Sequence, residues 1–165
     1  MECTVCGNSL KEIDVGDIKV DVCEDGCGGI WFDRFELEKV DEPHETEGEL
    51  LLHIRRGEGV RVDMEKRRNC PRCRDTIMMR HFFSVRKEVE VDECPKCAGT
   101  WLDFGELGQI REEFRSEDER KEAAGKYFSK ILVQELAQSR AGDSGELKRG
   151  KTLERLIKLM GPGDV

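Results

Sequence analysis

Cys70-Pro-Arg-Cys73, twenty intervening residues, and then Cys94-Pro-Lys-Cys97-Ala-Gly-Thr-Trp101-Leu-Asp103-Phe-Gly-Glu106-Leu107 form the stretch that decides how this chain folds. The same order of residues occurs once before. Cys3-Thr-Val-Cys6 is followed by sixteen residues and Cys23-Glu-Asp-Gly-Cys27, after which Gly29-Ile-Trp31-Phe-Asp33-Arg-Phe-Glu36-Leu37 matches Gly99 to Leu107 at a constant offset of 70. Four cysteines and five further identities in one order mark a tandem duplication, and a repeat constrains the architecture before any local propensity does.

The spacers carry hairpin patterns. Ile13, Val15, Ile18, Val20 and Val22 alternate on either side of Gly16-Asp17, and glycine at the first turn position suits a type II′ loop. In the second copy, Thr76 to Phe83 and Val85 to Val91 are β-prone, with Val85, Val89 and Val91 in phase around a connection near Ser84 to Lys87. Each copy then ends in a helix. Asp33 with Glu36, and Asp103 with Glu106, fit an acidic capping box in which Asp accepts from the first free amides and Glu reaches back. Leu37 and Val40 are expected to face inward in the first helix, and Leu107, Ile110 and Phe114 in the longer second one.

The flanking regions are more charged. Asp41 to Asn69 holds one apolar run, Leu50-Leu51-Leu52-His53-Ile54, and is expected to be a linker with one helical turn or strand. Ser116 to Arg140 places Ala124, Phe128, Ile131, Leu132 and Leu136 at helical spacing, and Ala141-Gly-Asp-Ser-Gly145 breaks it. A last amphipathic segment, Leu147 to Met160, carries Leu153, Leu156, Ile157 and Met160 on one face before Gly161-Pro-Gly163 stops it.

The chain has 165 residues, 37% hydrophobic and 39% charged, with a net charge of −8, eight cysteines, three histidines and only seven Phe, two Trp and one Tyr. So polar a composition argues against one large conventional core. No apolar run approaches the roughly 18 residues of a membrane span, and Met1-Glu2-Cys3 does not start like a signal peptide. The expectation is a cytoplasmic protein without a membrane partner, in which cysteines act as metal ligands or redox groups rather than disulfides.

Two tight knuckles joined by a hairpin bring four thiolates together, which is the donor set of tetrahedral Zn²⁺. The expected cofactors are two Zn²⁺ per chain, one on Cys3, Cys6, Cys23 and Cys27 and one on Cys70, Cys73, Cys94 and Cys97. Iron uses the same four-thiolate geometry and stands as the alternative. A thioredoxin-like redox pair needs a βαβ setting that the pattern lacks, and a catalytic zinc would leave a coordination position open. His44, His53 and His81 lie outside both quartets and are expected at the surface. The extra residue between Cys23 and Cys27 is expected to be absorbed at Gly26, and each ribbon is expected to close its own site. Trp31 and Trp101 are expected to cover the metal sites, base stacking being the other role open to them.

Cys-Pro-Arg-Cys … Cys-Pro-Lys-Cys-Ala-Gly-Thr-Trp-Leu-Asp-Phe-Gly-Glu-Leu strongly resembles the prokaryotic zinc-ribbon family named for its likeness to transcription factor IIB. Both repeats fit, over residues 1–40 and 70–110, including the Trp-x-Asp-x-x-Glu-Leu tail; the first copy departs in lacking the knuckle proline and in the gap after Cys23. The resemblance implies two zinc ribbons with the eight cysteines as ligands, and its label suggests nucleic-acid binding by analogy of fold. The expected fold is a small metal-stapled α+β protein: zinc ribbon 1 at 1–40, a charged linker at 41–69, zinc ribbon 2 with its helix at 70–114, and a helical C-terminal region at 115–165.

Charge bears on the partner. Residues 1–40 hold ten acids and four bases, a net of −6, which repels a phosphate backbone. The second ribbon gathers Arg67, Arg68, Arg72, Arg74, Arg80, Arg86, Lys87 and Lys96, with Phe82 and Phe83 nearby. No nucleophile–His–acid set or phosphate loop is present, so no enzymatic activity is expected. The leading expectation is a non-catalytic adaptor that docks onto a protein or ribonucleoprotein assembly, with Leu153, Leu156, Ile157 and Met160 as docking anchors. The alternative is a DNA- or RNA-binding regulator acting through Arg72, Arg74, Arg86 and Lys87; a redox or metal-relay protein stands third.

Overall fold

The computed structural model describes residues 1–43 and 46–141. Met1–Ala123 forms one compact unit, and a second begins at Ala124. The first knuckle leads into β1 (Lys11–Val15) and β2 (Ile18–Val22), and the second into β3 (Ile30–Phe32). The repeat does the same with β4 (Met79–Phe82), β5 (Glu90–Glu93) and β6 (Thr100–Leu102), followed by α1 (Glu106–Glu113) and α2 (Glu117–Ala141). The Gly16-Asp17 turn is as expected: Gly16 has φ +60°, and Asp17 is not left-handed. In the second copy the strands are shorter than the β-prone runs. Lys87 adopts φ +59° and donates its N–H to the Ser84 carbonyl, which turns the chain and leaves Val85 outside both strands.

The two ribbons are not separate modules. All six strands form one antiparallel sheet in the order β1-β2-β3-β6-β5-β4, and β3 pairs with β6 across an approximate two-fold axis. Its register sets Trp31 opposite its own equivalent, Trp101, with Ile30 against Leu102 and Phe32 against Thr100 as two pairs that the two-fold exchanges. Each ribbon closes its own cysteine quartet, as expected, but the strands of the two copies are continuous. Three-residue strands bury little on their own, and joining them edge to edge satisfies the open N–H and C=O rows of both.

Strand alternation sorts the side chains into two layers. On one face Val20, Val22, Ile30, Phe32, Val89, Val91 and Leu102 meet Leu37, Val40, Leu107 and Ile110. On the other, both tryptophans pack with cysteines of both quartets, Leu10 and Met78. The linker does more than connect. A 3₁₀ helix, Glu47–His53, and the residue after it bury Leu51 and Ile54 in the first layer, while Val60 and Val62 lie against the second. Buried Arg111 of α1 secures it, donating to the carbonyls of Val40 and Pro43 and to Glu49.

The capping boxes form only by half. Glu36 and Glu106 each accept the backbone N–H three residues earlier, from Asp33 and Asp103, at 2.7 Å. The aspartates instead hold the indoles: Trp31 Nε1 donates to Asp33 at 3.1 Å and Trp101 Nε1 to Asp103 at 3.0 Å. A buried indole N–H needs an acceptor, and that need outweighs the amide cap. Behind this shared cap the first helix is a single 3₁₀ turn, Leu37–Lys39, while α1 runs for eight residues. In the second unit Leu132, Val133 and Leu136 are exposed on α2, and the rings of Tyr127 and Phe128 meet edge to face. His44 and the anchors Leu153, Leu156, Ile157 and Met160 lie outside the described residues.

Candidate metal centres

Each quartet is assembled by a knuckle preceding β1 or β4 and a second preceding β3 or β6. A knuckle is a reversal closed by a left-handed residue just after its second cysteine: Gly7 (φ +78°), Gly28 (+79°), Arg74 (+60°) and Ala98 (+55°). At all four, the left-handed residue donates its N–H to the first cysteine's carbonyl: Gly7 to Cys3, Gly28 to Cys23, Arg74 to Cys70 and Ala98 to Cys94. The extra residue after Cys23 is taken up by Asp25, at φ +56°, and not by Gly26. Aspartate tolerates that region better than most side chains. Gly26 serves a different need: a Cβ there would collide with the Cys23 sulfur and with Asn8.

The four sulfurs of each group lie within 4.8 Å of one another. In the first group Cys3–Cys27 and Cys6–Cys23 are 3.4 Å apart, and in the second Cys70–Cys97 and Cys73–Cys94 are 3.7 and 3.9 Å apart. A tetrahedron with Zn–S bonds near 2.3 Å has edges of about 3.8 Å, so both quartets fit the ion. Backbone N–H groups of Val5 and Cys6 point at the Cys3 sulfur, and that of Cys73 at the Cys70 sulfur, supplying partial positive charge to thiolates. Without a cation, the quartet must keep protons. A hydrogen bond from Cys27 draws the Cys3 thiol down to about 5, and the same contact, with burial, drives Cys27 far up. Two Zn²⁺ resolve that conflict by replacing the shared protons. All-cysteine sites leave no position for a water, and Trp31 and Trp101, 1% exposed, cover them rather than presenting a stacking surface.

The two centres are coupled through the tryptophans. A Cβ on Gly99 would overlap the Trp31 ring, and one on Gly29 the Trp101 ring, so each indole lies on the glycine of the other copy. This reciprocal packing is the reason for Gly-x-Trp in both repeats. A family model described as transcription factor zinc-finger, of the transcription factor IIB zinc-ribbon type, matches residues 2–42 and 69–113, more than half of the chain. The chain belongs to the transcription-factor zinc-finger family. No curated protein and no solved structure matches it. In this family member the matched segments coincide with the two cysteine quartets, their strands and the helix of the second copy.

The basic residues of the second ribbon divide sharply in their surroundings. Arg68, expected on a positive surface, is 4% exposed, and its Nη1 bonds Asp103 at 2.7 Å and Asp92 at 3.4 Å. Arg80 closes the cluster on Asp92 at 3.1 Å and also donates to the Met64 carbonyl. Sequence reasoning missed this buried network, because charge composition does not distinguish a buried arginine from a solvated one. Arg72 pairs with Asp33 of the first ribbon at 2.7 Å, and Arg86 with Glu119 at 2.7 Å while lying over the Phe114 ring. Lys96 lies 3.5 Å from Asp75, and Arg74 and Lys87 are exposed at left-handed turns. Among the described residues no helix is long and apolar enough to cross a membrane.

Proposed function

We propose that this chain is a non-catalytic zinc-binding adaptor that presents a double-ribbon surface to a protein or ribonucleoprotein assembly. The observation that carries this reading is the internal use of the basic side chains: Arg68, Arg72, Arg80, Arg86 and Lys96 each lie beside a carboxylate of the same chain. Groups already neutralised release few counterions from a phosphate backbone. Meanwhile Phe35, Phe82, Phe104, Leu50 and Met64 stand exposed, a set of apolar side chains suited to protein contacts. Closed four-cysteine sites support a structural role for the metal rather than a catalytic one.

The test is capture of partners by the zinc-loaded chain from native extract, with nuclease and with chelator as separate arms. A stoichiometric protein partner that survives nuclease and is lost on chelation is the expected result. The nucleic-acid reading draws on Arg74 and Lys87, which are exposed. It predicts a shift of DNA or RNA at low salt, abolished by changing Arg72, Arg74, Arg86 and Lys87 to Glu. Such a shift, together with loss of the partner under nuclease, would replace the adaptor reading.

A further inference from the structure

A cleft of about 420 Å³ opens at one end of the second ribbon, between residues 56–64, the β4–β5 connection and the start of α1. Met64, Phe82 and Phe104 line it with apolar surface, and all three are exposed. Four acids also line it, Glu88, Glu90, Asp103 and Glu106, against the single cation Arg56. Asp103 is engaged by Arg68, and Glu106 accepts the Asp103 N–H. Glu88 and Glu90 make no ion pair within 4 Å among the described residues, and Glu90 feels the charge of Arg80, which is itself held by Asp92. The Arg56 guanidinium lies 6.0 Å from the Phe104 ring centre, so one wall of the cleft already accommodates a cation.

The first ribbon shows what occupies the equivalent place. Strand register matches Lys19 to Glu90 and Asp14 to Phe82, counting back along the chain sets Glu88 with Asp17 in the connection before the strand, and the repeat offset matches Lys39 to Gln109. There, Lys39 Nζ reaches Asp17 at 2.8 Å, and Lys19 Nζ reaches Glu12 at 2.8 Å and Asp14 at 3.7 Å. In the second ribbon both lysines are replaced, by Gln109 and Glu90, and an acid is replaced by Phe82. One carboxylate, Glu90, thus stands where the first copy has an ammonium group, Glu88 has Gln109 rather than a lysine at the matching position, and Phe82 adds an apolar wall that the first copy lacks. Arg80, at the place of Glu12, is held by Asp92 while feeling the Glu90 charge.

We propose that this cleft receives a lysine or arginine side chain from the protein partner, a reading that rests on the adaptor function. The aliphatic stem lies against Met64, Phe82 and Phe104, and the cationic head meets Glu88 and Glu90. Long basic side chains combine these two chemistries, an apolar stem and a charged tip. A phosphate backbone does not fit, since the lining carboxylates repel it.

The test uses the zinc-loaded full chain and the peptide acetyl-Ala-Leu-Lys-Leu-Ala-amide, followed by amide NMR shifts. Saturable shifts at Glu88, Glu90, Gly105 and Gln109 are expected, and none from the same peptide with norleucine for lysine. The double variant E90K/Q109K installs the first ribbon's lysines and is expected to weaken peptide binding by about tenfold or more at unchanged zinc content. E88Q/E90Q, which adds no bulk, is expected to weaken it in the same direction. Equal binding of the norleucine peptide, undiminished binding by both variants, or no saturable shift at millimolar peptide would each overturn the proposal. The peptide measurement needs no cellular partner, so its failure leaves the adaptor reading to its own test.

Discussion

In the second ribbon Asp92 and Asp103 are buried beside Arg68 and Arg80; in the first, the matching Asp21 and Asp33 are only half-buried and have Met1 and Glu12 at those positions. The backbone establishes the match, since Leu10 N–H bonds the Met1 carbonyl as Met78 N–H bonds that of Arg68. Burial raises the Asp21 carboxyl, the amino terminus pulls it back, and the charges of Glu12 and Asp33 raise it further. Asp33 instead takes its cation from the other copy, through exposed Arg72. One fold thus tolerates opposite electrostatic solutions at one position. What the two copies share is the cysteines, the glycine–tryptophan pair, the aspartate that receives the indole, and the glutamate and leucine that follow it.

The largest test of this comparison removes a metal ligand. If the ribbons were independent, Cys97→Ser would melt only the second. With the tryptophans locked on each other's glycines, it is expected to lower bound zinc below two and to bring the whole Met1–Ala123 unit down in a single calorimetric transition, because structural zinc supplies on the order of 10 kcal/mol of folding free energy. First-ribbon amide resonances that stay unchanged in Cys97→Ser would restore the independent view.

Next in size is a paired change of the indole acceptors. Asp103→Asn leaves the buried Arg68 guanidinium without its closest carboxylate and is expected to cost about 3 kcal/mol in denaturant unfolding. Asp33→Asn breaks an exposed pair, with Arg72 54% and Asp33 42% exposed at the side chain, and is expected to cost about 1 kcal/mol or less. Equal costs would refute the electrostatic contrast. Gly29→Ala and Gly99→Ala probe the symmetric part instead: each is expected to cost about 2 kcal/mol by overpacking against an indole, and the two values should agree closely.

The smallest effect depends on pH. Burial raises the Glu106 carboxyl to about 7, with the Asp103 N–H pulling it down and the Asp103 charge adding to the rise. The folded state therefore holds this proton more tightly than the unfolded chain, and stability is lost as pH rises from the ordinary carboxylate range toward 7. Glu106→Gln keeps an acceptor for the Asp103 N–H and removes the charge. Its stability relative to the parent is expected to grow between pH 5.5 and 8, to about 1 kcal/mol after allowance for solvent screening. A difference that is flat across that interval would exclude the buried ionisation.

The cysteine quartets, the Gly16-Asp17 hairpin, the inward faces of Leu37, Val40, Leu107, Ile110 and Phe114, and the covering role of the tryptophans were all legible as residue patterns, because each depends on local spacing. The β3–β6 junction was not. Three-residue strands such as Ile-Trp-Phe and Thr-Trp-Leu have no period to read, and their partner is a distant copy. One mark of it was present: glycine stands two residues before tryptophan in both repeats, leaving room for a ring from elsewhere. Arg68 and Asp25 were illegible for another reason. Whether an arginine is buried, or which residue of a turn goes left-handed, depends on neighbours that only the assembled sheet supplies.

The central Trp31–Trp101 pairing has the form of a subunit contact written into a single polypeptide. Two separate ribbons meeting this way would associate according to their concentration, and either could exchange its mate. Tethering by residues 41–69 makes the encounter intramolecular, at an effective concentration on the order of millimolar. The pair then persists at any dilution and always joins one ribbon of each kind. Obligatory one-to-one pairing frees each outer surface from having to match itself, and so permits lysines on one copy and an acidic, aromatic cleft on the other.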